Sequence, residues 1–319
     1  MKKLVLAALC AAAVANGASA QSWPAKPVRL ISQFPPGGGT DLIARNLIPG
    51  LSEAFGQNFI LEHKAGAAGN IAADHVAKSA ADGYTILIAN NTIVIQAALP
   101  QKLSFDVVKD FTPVGIVAST PVALAVHPSQ PVKSVQDLIT LVRAQPGKVA
   151  YSSCGTGTAM HLAGELFKQL ASIDMTHVPY RGCGPAIVDG ISGQVPVLFN
   201  TITNTSPQAK AGRLRIVAIA SATRSPVDKN LPTIAEAGLA GFDADIWFGF
   251  MGPANLPREI VVRLNSALNR IVKLPEVSAR LADQLFDVRG GTPEEFGALV
   301  KADIARWGKV VRDGNIKPE

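Results

Sequence analysis

Short runs of aliphatic and β-branched residues alternate along the chain with stretches in which apolar residues recur every three or four positions. The runs predict strands and the stretches predict amphipathic helices. The first part of the chain gives strands at 28–33, 59–63 and 85–89, and helices at 41–55 and 70–78. This alternation is typical of parallel sheets covered by helices.

The same alternation repeats in the middle of the chain. Predicted strands there are 122–126, 149–152, 176–180, 195–199 and 214–220, and predicted helices are 135–144, 158–170 and 185–192. After Asp245 the pattern changes to helices, at 257–272, 275–285 and 292–312. The start of the last helix is the best defined, because Thr292 and Glu295 fit a capping box with Pro293 at the first helical position.

Two α/β series and a helical tail predict an α/β fold of two lobes, each a mostly parallel sheet flanked by helices. The segments 111–126, interrupted at Pro121, and 242–251 look able to cross between lobes. The first lobe would then be discontinuous, with residues 21–120 and 247–319, and residues 121–246 would form the second. Ligands are expected in the crevice between lobes, at the carboxyl ends of the strands.

The first twenty residues read as a secretory signal peptide. Lys2 and Lys3 precede an apolar stretch, and Ala18-Ser19-Ala20 forms a small-residue cleavage site. A lipid anchor on Cys10 has less support, because Leu9 stands where a small residue is required. No later run approaches the roughly 20 apolar residues of a membrane span. We therefore expect a periplasmic protein that begins at Gln21.

The net charge of the chain limits the classes of ligand that it is expected to bind. Without Lys2 and Lys3, 28 basic and 24 acidic residues remain, a net charge of +4. No basic block occurs and aromatic residues are sparse, which argues against nucleic acid. The mild positive balance favours anionic small molecules.

The stretch Gln33–Leu47 places three glycines between a strand and a helix. Glycine lets the backbone approach a ligand closely, and amides at a helix start point at anions. Thr40 and Asp41 are expected at the N-cap and in the first turn. A purely structural explanation also fits, in which both only cap the helix and Asp41 pairs with Arg45.

A second such loop lies in Lys148–Phe167. Neither loop has the glycine spacing of nucleotide sites, and no lysine is placed to reach phosphates. Two helix starts facing each other would instead suit a small carboxylate. The hydroxyls expected to complete its coordination belong to Ser152, Ser153, Thr156 and Thr158.

Seven spaced motifs carry a resemblance that covers essentially the whole chain. They are WPAKPVRLISQFPPGGGTD, GAAGNIAADHVAKSAADGYTILIAN, YSSCGTGTAMHLAGELF, VPYRGCGPAIVDGISGQV, AGRLRIVAIASATRS, LPTIAEAG and WFGFMGPANLP. With them the chain resembles the Bug-type extracytoplasmic solute receptors of tripartite tricarboxylate transporter systems. The resemblance implies a Venus-flytrap fold of the periplasmic binding protein type, which closes on a small carboxylate and delivers it to membrane permease subunits.

The resemblance also implies where the ligand binds, in part through ordered water. The residues predicted to contact it are Phe34, Pro36, Gly37, Gly38, Gly39, Thr40, Asp41, Asn90, Asn91, Ser153, Cys154, Gly155, Thr156, Gly157, Thr158, Tyr180, Arg181 and Asn200. The chain departs from the family pattern at Cys154 and Cys183, where small residues are usual, and at Asn200, where Asp is frequent. These departures bear on ligand identity rather than on the fold.

Several residues keep two interpretations. Cys154 and Cys183 form either a disulfide or two free thiols, since their separation in space is unknown. Arg181 could meet a second carboxylate or lie in solvent. Trp247 and Phe248 could stack on a ligand or pack in the core.

The sequence thus predicts a monomeric periplasmic solute-binding protein rather than an enzyme, with no cofactor and no metal site. The ligand would be a dicarboxylate, tricarboxylate, acidic amino acid or aromatic acid. One alternative is a sensor that reports its ligand to a signalling partner. The other is a secreted hydrolase that uses Cys154 with His161 as its base. Scattered histidines without paired spacing disfavour a metal site.

Overall fold

A computed structural model describes residues 23–318 of the 319-residue chain. The predicted signal peptide, residues 1–20, lies outside the described residues. Inside them the chain forms two sheets, each flanked by helices, so the prediction of a two-lobed α/β fold is confirmed. No helix within 23–318 combines the length and the hydropathy of a membrane span.

The first lobe is built on a six-stranded sheet, in the order β11-β4-β10-β3-β1-β2. Its strands are β1 (Val28–Ser32), β2 (Phe59–His63), β3 (Thr85–Asn90), β4 (Phe111–Thr120), β10 (Ile246–Pro253) and β11 (Asp287–Val288). Its helices are α1 (Gly39–Phe55), α2 (Asn70–Ala77), α3 (Thr92–Ala98), α8 (Arg258–Ile271), α9 (Pro275–Asp283) and α10 (Pro293–Asp313). A single 3₁₀ turn, Ala67–Gly69, precedes α2.

The second lobe is built on a five-stranded sheet, in the order β7-β6-β8-β5-β9. Its strands are β5 (Val122–Val126), β6 (Ala150–Ser153), β7 (Thr176–Pro179), β8 (Val197–Thr201) and β9 (Arg215–Ile219). Its helices are α4 (Val135–Ala144), α5 (Ala159–Ala171), α6 (Cys183–Ser192) and α7 (Ile202–Lys210).

Strand direction places the carboxyl ends of most strands at the junction between the lobes. In the first sheet β1 runs parallel to β2 and β3, while β10 lies antiparallel between β3 and β4. In the second sheet β6 runs parallel to β7 and β8, while β5 lies antiparallel between β8 and β9. The reversed strands β10 and β5 are those that enter from the other lobe. The remaining long strands therefore end where the lobes meet.

Burial explains why the central strands read as continuous apolar runs. All residues of β5 and of β10 are buried, because helices cover both faces of each sheet. The long helix α10 begins as predicted, since Thr292 and Glu295 form a capping box. Its far end also reaches the second lobe, where Gln169 Nε2 donates to the carbonyl oxygen of Val310 at 2.9 Å.

Several local predictions were wrong or incomplete. The segment after Asp245, where helices were predicted, begins with the buried strand β10. Helix α1 begins at Gly39 with Gly38 as its N-cap, so Thr40 lies inside the first turn and is not the cap. The Thr40 hydroxyl instead lies 2.8 Å from the Ser32 hydroxyl of β1, a contact that the local pattern does not reveal. Helices α3 and α7 were not predicted, because the first is a short apolar run and the second contains Pro207.

Candidate carboxylate site at the lobe junction

The predicted site residues follow the carboxyl ends of five strands. In the first lobe the end of β3 carries Asn90 and Asn91, and the segment after β1 carries Phe34, Pro36, Gly37, Gly38, Gly39, Thr40 and Asp41. In the second lobe the ends of β6, β7 and β8 carry Ser153, Cys154, Gly155, Thr156, Gly157, Thr158, Tyr180, Arg181 and Asn200. The topology thus brings these residues to one edge of each sheet, at the lobe junction.

The first glycine loop joins β1 to α1. Gly37 has a φ of 85°, which favours glycine, and its amide donates to Asp41 Oδ2 at 3.0 Å. The N-cap residue Gly38 has an extended backbone and no side-chain capping bond. Because the first amides of an α-helix have no partner within the helix, this start can present N–H groups to an anion.

Asp41 holds this loop through contacts within the first lobe. Its side chain is buried, accepts from Arg45 Nε at 3.0 Å and lies 3.2 Å from His63 Nε2. Burial acts to raise the pKa of Asp41, but the hydrogen bonds from Arg45 and Gly37 outweigh it and lower the pKa below its ordinary value. Asp41 is therefore a charged, internally paired anchor of the loop.

The space around the three glycines differs. A Cβ at Gly38 would make only ordinary contacts, the nearest 3.5 Å from the carbonyl oxygen of Pro35. A Cβ at Gly39 would come within 2.5 Å of the Phe248 ring, which is buried directly behind the loop. Phe248 thus packs in the core against Gly39, whereas Gly38 can accept a Cβ without a clash.

The second glycine loop joins β6 to α5 and is fixed by its own side chains. Gly157, with a φ of 70°, donates its amide to His161 Nδ1 at 3.1 Å. Thr158 is the N-cap of α5, and its hydroxyl donates to the carbonyl oxygen of Gly155 at 2.7 Å. The hydroxyl of Ser153 lies 2.7 Å from His177 Nε2. Two of the hydroxyls predicted to coordinate a ligand therefore bond inside the lobe.

His161 is neutral at physiological pH. Burial and the nearby charge of Lys168 lower its pKa to about 4. A neutral ring leaves Nδ1 free to accept the Gly157 amide. The ring also stacks on His177, with centroids 4.0 Å apart. The loop is thus held by an uncharged acceptor.

Cys154 and Cys183 form a disulfide, with Cα atoms 4.3 Å apart. The bridge ties the second loop to the start of α6, and the Gly182 amide also donates to the carbonyl oxygen of Cys154 at 3.2 Å. In this form Cys154 has no thiol, so its suggested pairing with His161 does not supply a nucleophile.

The asparagines at the strand ends are engaged with the backbone. Asn90 Oδ1 accepts the Thr92 amide at 3.0 Å, and Asn91 Nδ2 donates to the carbonyl oxygen of Asp245 at 2.7 Å. Asn200 Nδ2 donates to the carbonyl oxygen of Cys183 at 3.2 Å. These bonds fix the strand ends around the junction.

Tyr180 and Arg181 differ in exposure. The Tyr180 hydroxyl donates to Asp189 Oδ2 at 2.5 Å, and burial, followed by this carboxylate, raises the pKa of Tyr180 to about 12. Arg181 is exposed. Tyr180 is therefore paired within its own lobe, whereas the Arg181 side chain lies at the surface.

Gln96 in α3 was missed by the sequence analysis. Its Nε2 donates to the carbonyl oxygen of Gly157 at 3.0 Å, which links the first lobe to the second loop. Its Oε1 accepts from Asn70 Nδ2 at 3.1 Å and from Gln101 Nε2 at 2.8 Å. The available signal was a single glutamine within the apolar run Ile93–Ala98.

Cavities are present both at the junction and away from it. One of about 290 Å³ lies at the junction and is lined by residues of both lobes, among them Ala67, Asn70, Gln96 and Thr156. Another, of about 750 Å³, lies at the opposite end of β4, beside Val107, Leu256 and Lys301. The larger cavity is remote from the strand ends that carry the loops, so its size alone does not make it the candidate site. Across residues 23–318 no group of three His, Cys, Asp or Glu side chains is arranged to hold a metal ion.

Comparison with known proteins places this arrangement among solute receptors. Residues 43–316 match the family described as "Tripartite tricarboxylate transporter family receptor". The chain is 34% identical to the protein BugT of Bordetella pertussis over 311 residues, which cover 97% of this chain and 95% of BugT.

The chain is also similar to solved structures of proteins determined with bound carboxylates. The R. palustris protein Rpa4515, determined with adipate, has a TM-score of 0.87 and 37% identity, covering 93% of this chain and 100% of that one. MatC from Rhodopseudomonas palustris, determined with bound malate, has a TM-score of 0.82 and 32% identity, covering 91% of this chain and 100% of that one.

Proposed function

The chain belongs to the tripartite tricarboxylate transporter receptor family, and on this premise we propose that it captures a small aliphatic dicarboxylate between its lobes. Two similar proteins have structures with adipate and malate, which are both dicarboxylates. One carboxylate of the ligand would lie between the starts of α1 and α5. The second carboxylate of the ligand would be bound by the exposed side chain of Arg181 or by the amide side chains at the junction.

The observation that carries this proposal is the pair of glycine loops at the strand ends. Each loop starts a helix, and the partial positive charge at a helix start favours an anion. Each also has a glycine amide tied to a side chain of its own helix, at 3.0 Å in the first loop and 3.1 Å in the second. Loops held in this way lose little freedom when a ligand binds, which favours affinity. Ordered water between the loops and the carboxylate would preserve the bonding.

Capture would proceed by closure of the lobes. A ligand that touches both helix starts interacts better with the closed form and shifts the population toward it. We propose residues 21–120 with 247–319 and residues 121–246 as the two moving bodies, joined by the crossings at Pro121 and at 242–251. Helix α10 contacts both bodies through the Gln169 to Val310 bond, so its far end would slide or release when they separate.

The closed form would be presented to the membrane subunits of the transporter. Export through the signal peptide would place the receptor in the periplasm, where we propose that it acts as a monomer. Delivery of a bound solute needs no bond making, and no catalytic residue is proposed.

Thermal unfolding in the presence of malate, adipate and a neutral diamide of similar length tests the ligand class. The two acids should raise the melting temperature in a concentration-dependent way, as expected for a ligand that binds only the folded state, and the diamide should not. Equal shifts with the diamide would contradict the anion site.

The variant Gly38→Trp tests the location. A Cβ at residue 38 meets no atom closer than 3.5 Å, so we expect the ligand-free variant to fold. The indole next to the first helix start should abolish the shift with acids. Val262→Trp is the matched control, because Val262 is 50% exposed on α8. A full ligand shift in Gly38→Trp would place the ligand elsewhere.

A further inference from the structure

Gln96 makes a hydrogen bond between the lobes at the second glycine loop. The side chain is only 5% exposed, although it belongs to a short helix with otherwise apolar neighbours. Its amide group donates to the carbonyl oxygen of Gly157, 61 residues further along the chain. Its carbonyl oxygen accepts from Asn70 and Gln101, so the orientation of the amide is fixed from behind.

The approach of the lobes at this point depends on the absence of a side chain on residue 157. A Cβ there would lie 2.3 Å from Gln96 Nε2 and 2.8 Å from Leu99 Cδ1. Both contacts involve atoms of the first lobe, whereas Gly157 belongs to the second. The amide of Gln96 therefore meets the backbone of the loop directly, with no side chain between them.

The Gly157 residue is held at both of its polar groups. Its amide donates to His161 Nδ1 within the second lobe, and its carbonyl accepts from Gln96 of the first lobe. The Gly157 carbonyl and the Thr158 amide share one planar peptide unit. The hydrogen bond from Gln96 to the Gly157 carbonyl therefore fixes the orientation of this peptide unit, which leads directly into the start of α5.

We propose that Gln96 is a positioning residue of the carboxylate site, which sets how long the lobes stay closed over the ligand. This inference rests on the proposed function. The bond from Gln96 to Gly157 exists only when the lobes meet, so it stabilises the closed form and not the separated one. Its loss should act mainly on ligand release, because most affinity differences between related complexes lie in the dissociation rate.

Two variants remove the donor in different ways. Gln96→Glu keeps the shape and the oxygen that accepts from Asn70 and Gln101, but it replaces the amide donor. Gln96→Met keeps the volume without introducing charge. The matched control is Gln136→Met, which also removes a side-chain donor to a backbone carbonyl, that of Ala237, but within the second lobe.

Stopped-flow kinetics with malate and with adipate give the test. Both Gln96 variants should raise the dissociation rate about tenfold or more and change the association rate by less than about threefold, while Gln136→Met stays close to the wild type. A purely structural role would instead lower the melting temperature of the ligand-free protein and leave the ratio of the two rates unchanged. If Gln96→Met does not fold, Gln96→Glu decides.

The outcomes separate the two proposals. Wild-type rates in a folded Gln96 variant, or an equal effect in Gln136→Met, overturn the role of Gln96 while the proposed function stands. A wild-type protein that binds neither acid overturns the proposed function, and the role of Gln96 fails with it.

Discussion

Asp41 and His161 hold equivalent positions in the two lobes, since each accepts through its side chain the amide hydrogen of the glycine four residues earlier. Each is the third residue of its helix, and each glycine has a positive φ. The two acceptors differ in charge, because Asp41 is a paired carboxylate and His161 is a neutral imidazole. The second loop therefore carries no negative charge of its own, and we expect it to supply more of the attraction for an anion.

The variant Asp41→Asn should destabilise the protein. It removes the negative partner of Arg45 and His63 and weakens the acceptor for the Gly37 amide, so the free energy of unfolding should fall by about 1–3 kcal/mol. Urea unfolding measures this change. Arg45→Gln is the matched control and should have a smaller effect, because the Arg45 side chain is 62% exposed. Equal losses in both variants would show that the exposed ion pair, rather than the loop bond, carries the stability.

His161 should make stability depend on pH. Its pKa is lowered from 6.5 to about 4, so between these values the unfolded state binds a proton that the folded state does not. The stability contributed by the neutral ring is present above pH 6.5 and is lost as the pH falls toward 4. In this window the wild type should lose about 1.4 kcal/mol more per pH unit than His161→Asn, which keeps an acceptor but does not titrate.

Urea unfolding of both proteins at several pH values between 4 and 7.5 tests this prediction. Parallel curves for the wild type and His161→Asn would mean that the ring titrates alike in the folded and unfolded states.

Comparison of Gly157→Ala with Gly212→Ala should separate the effect of backbone strain from the effect of the contact between the lobes. Gly157 and Gly212 have similar φ values, 70° and 71°, but an alanine Cβ at Gly212 meets nothing within 4 Å. Both alanine variants should lose about 1–2 kcal/mol of stability from the left-handed backbone. Only Gly157→Ala should weaken ligand binding, by about tenfold or more, because its Cβ collides with Gln96 and Leu99.

Isothermal titration with malate or adipate, next to urea unfolding, gives both quantities for each variant. Unchanged affinity in Gly157→Ala would mean that the lobes need not approach at this point to hold the ligand.

The disulfide should contribute to stability through the loop that it closes. Cys154 and Cys183 are 29 residues apart, and a closed loop of this size predicts a loss of about 3–4 kcal/mol when the bridge is removed. The double variant Cys154→Ala, Cys183→Ala should therefore unfold at lower urea than the oxidised wild type. Reductant should lower the midpoint of the wild type and leave the double variant unchanged. A reductant effect of equal size in both would point to a cause other than this bridge.

Much of the architecture was predictable because its causes are local. The capping box at Thr292 and the alternation of strands and helices depend on residues only a few positions apart, and both are present in the structure. The glycine loops were found for the same reason. The start of α1 was misplaced because the Thr40 hydroxyl bonds to Ser32 in the neighbouring strand, a partner outside the local pattern.

The amino-acid sequence by itself determined two α/β lobes, two glycine-rich helix starts and the placement of both at strand ends, since periodicity, capping and strand direction are encoded over short stretches. Only the tertiary structure decided that Asp41 turns inward, that Cys154 and Cys183 are bridged, and that Gln96 contacts Gly157 across the junction. The partners His63 of Asp41, Cys183 of Cys154 and Gly157 of Gln96 are each more than 20 residues away in the chain. The geometry of these contacts depends on how whole elements pack, which no local pattern specifies.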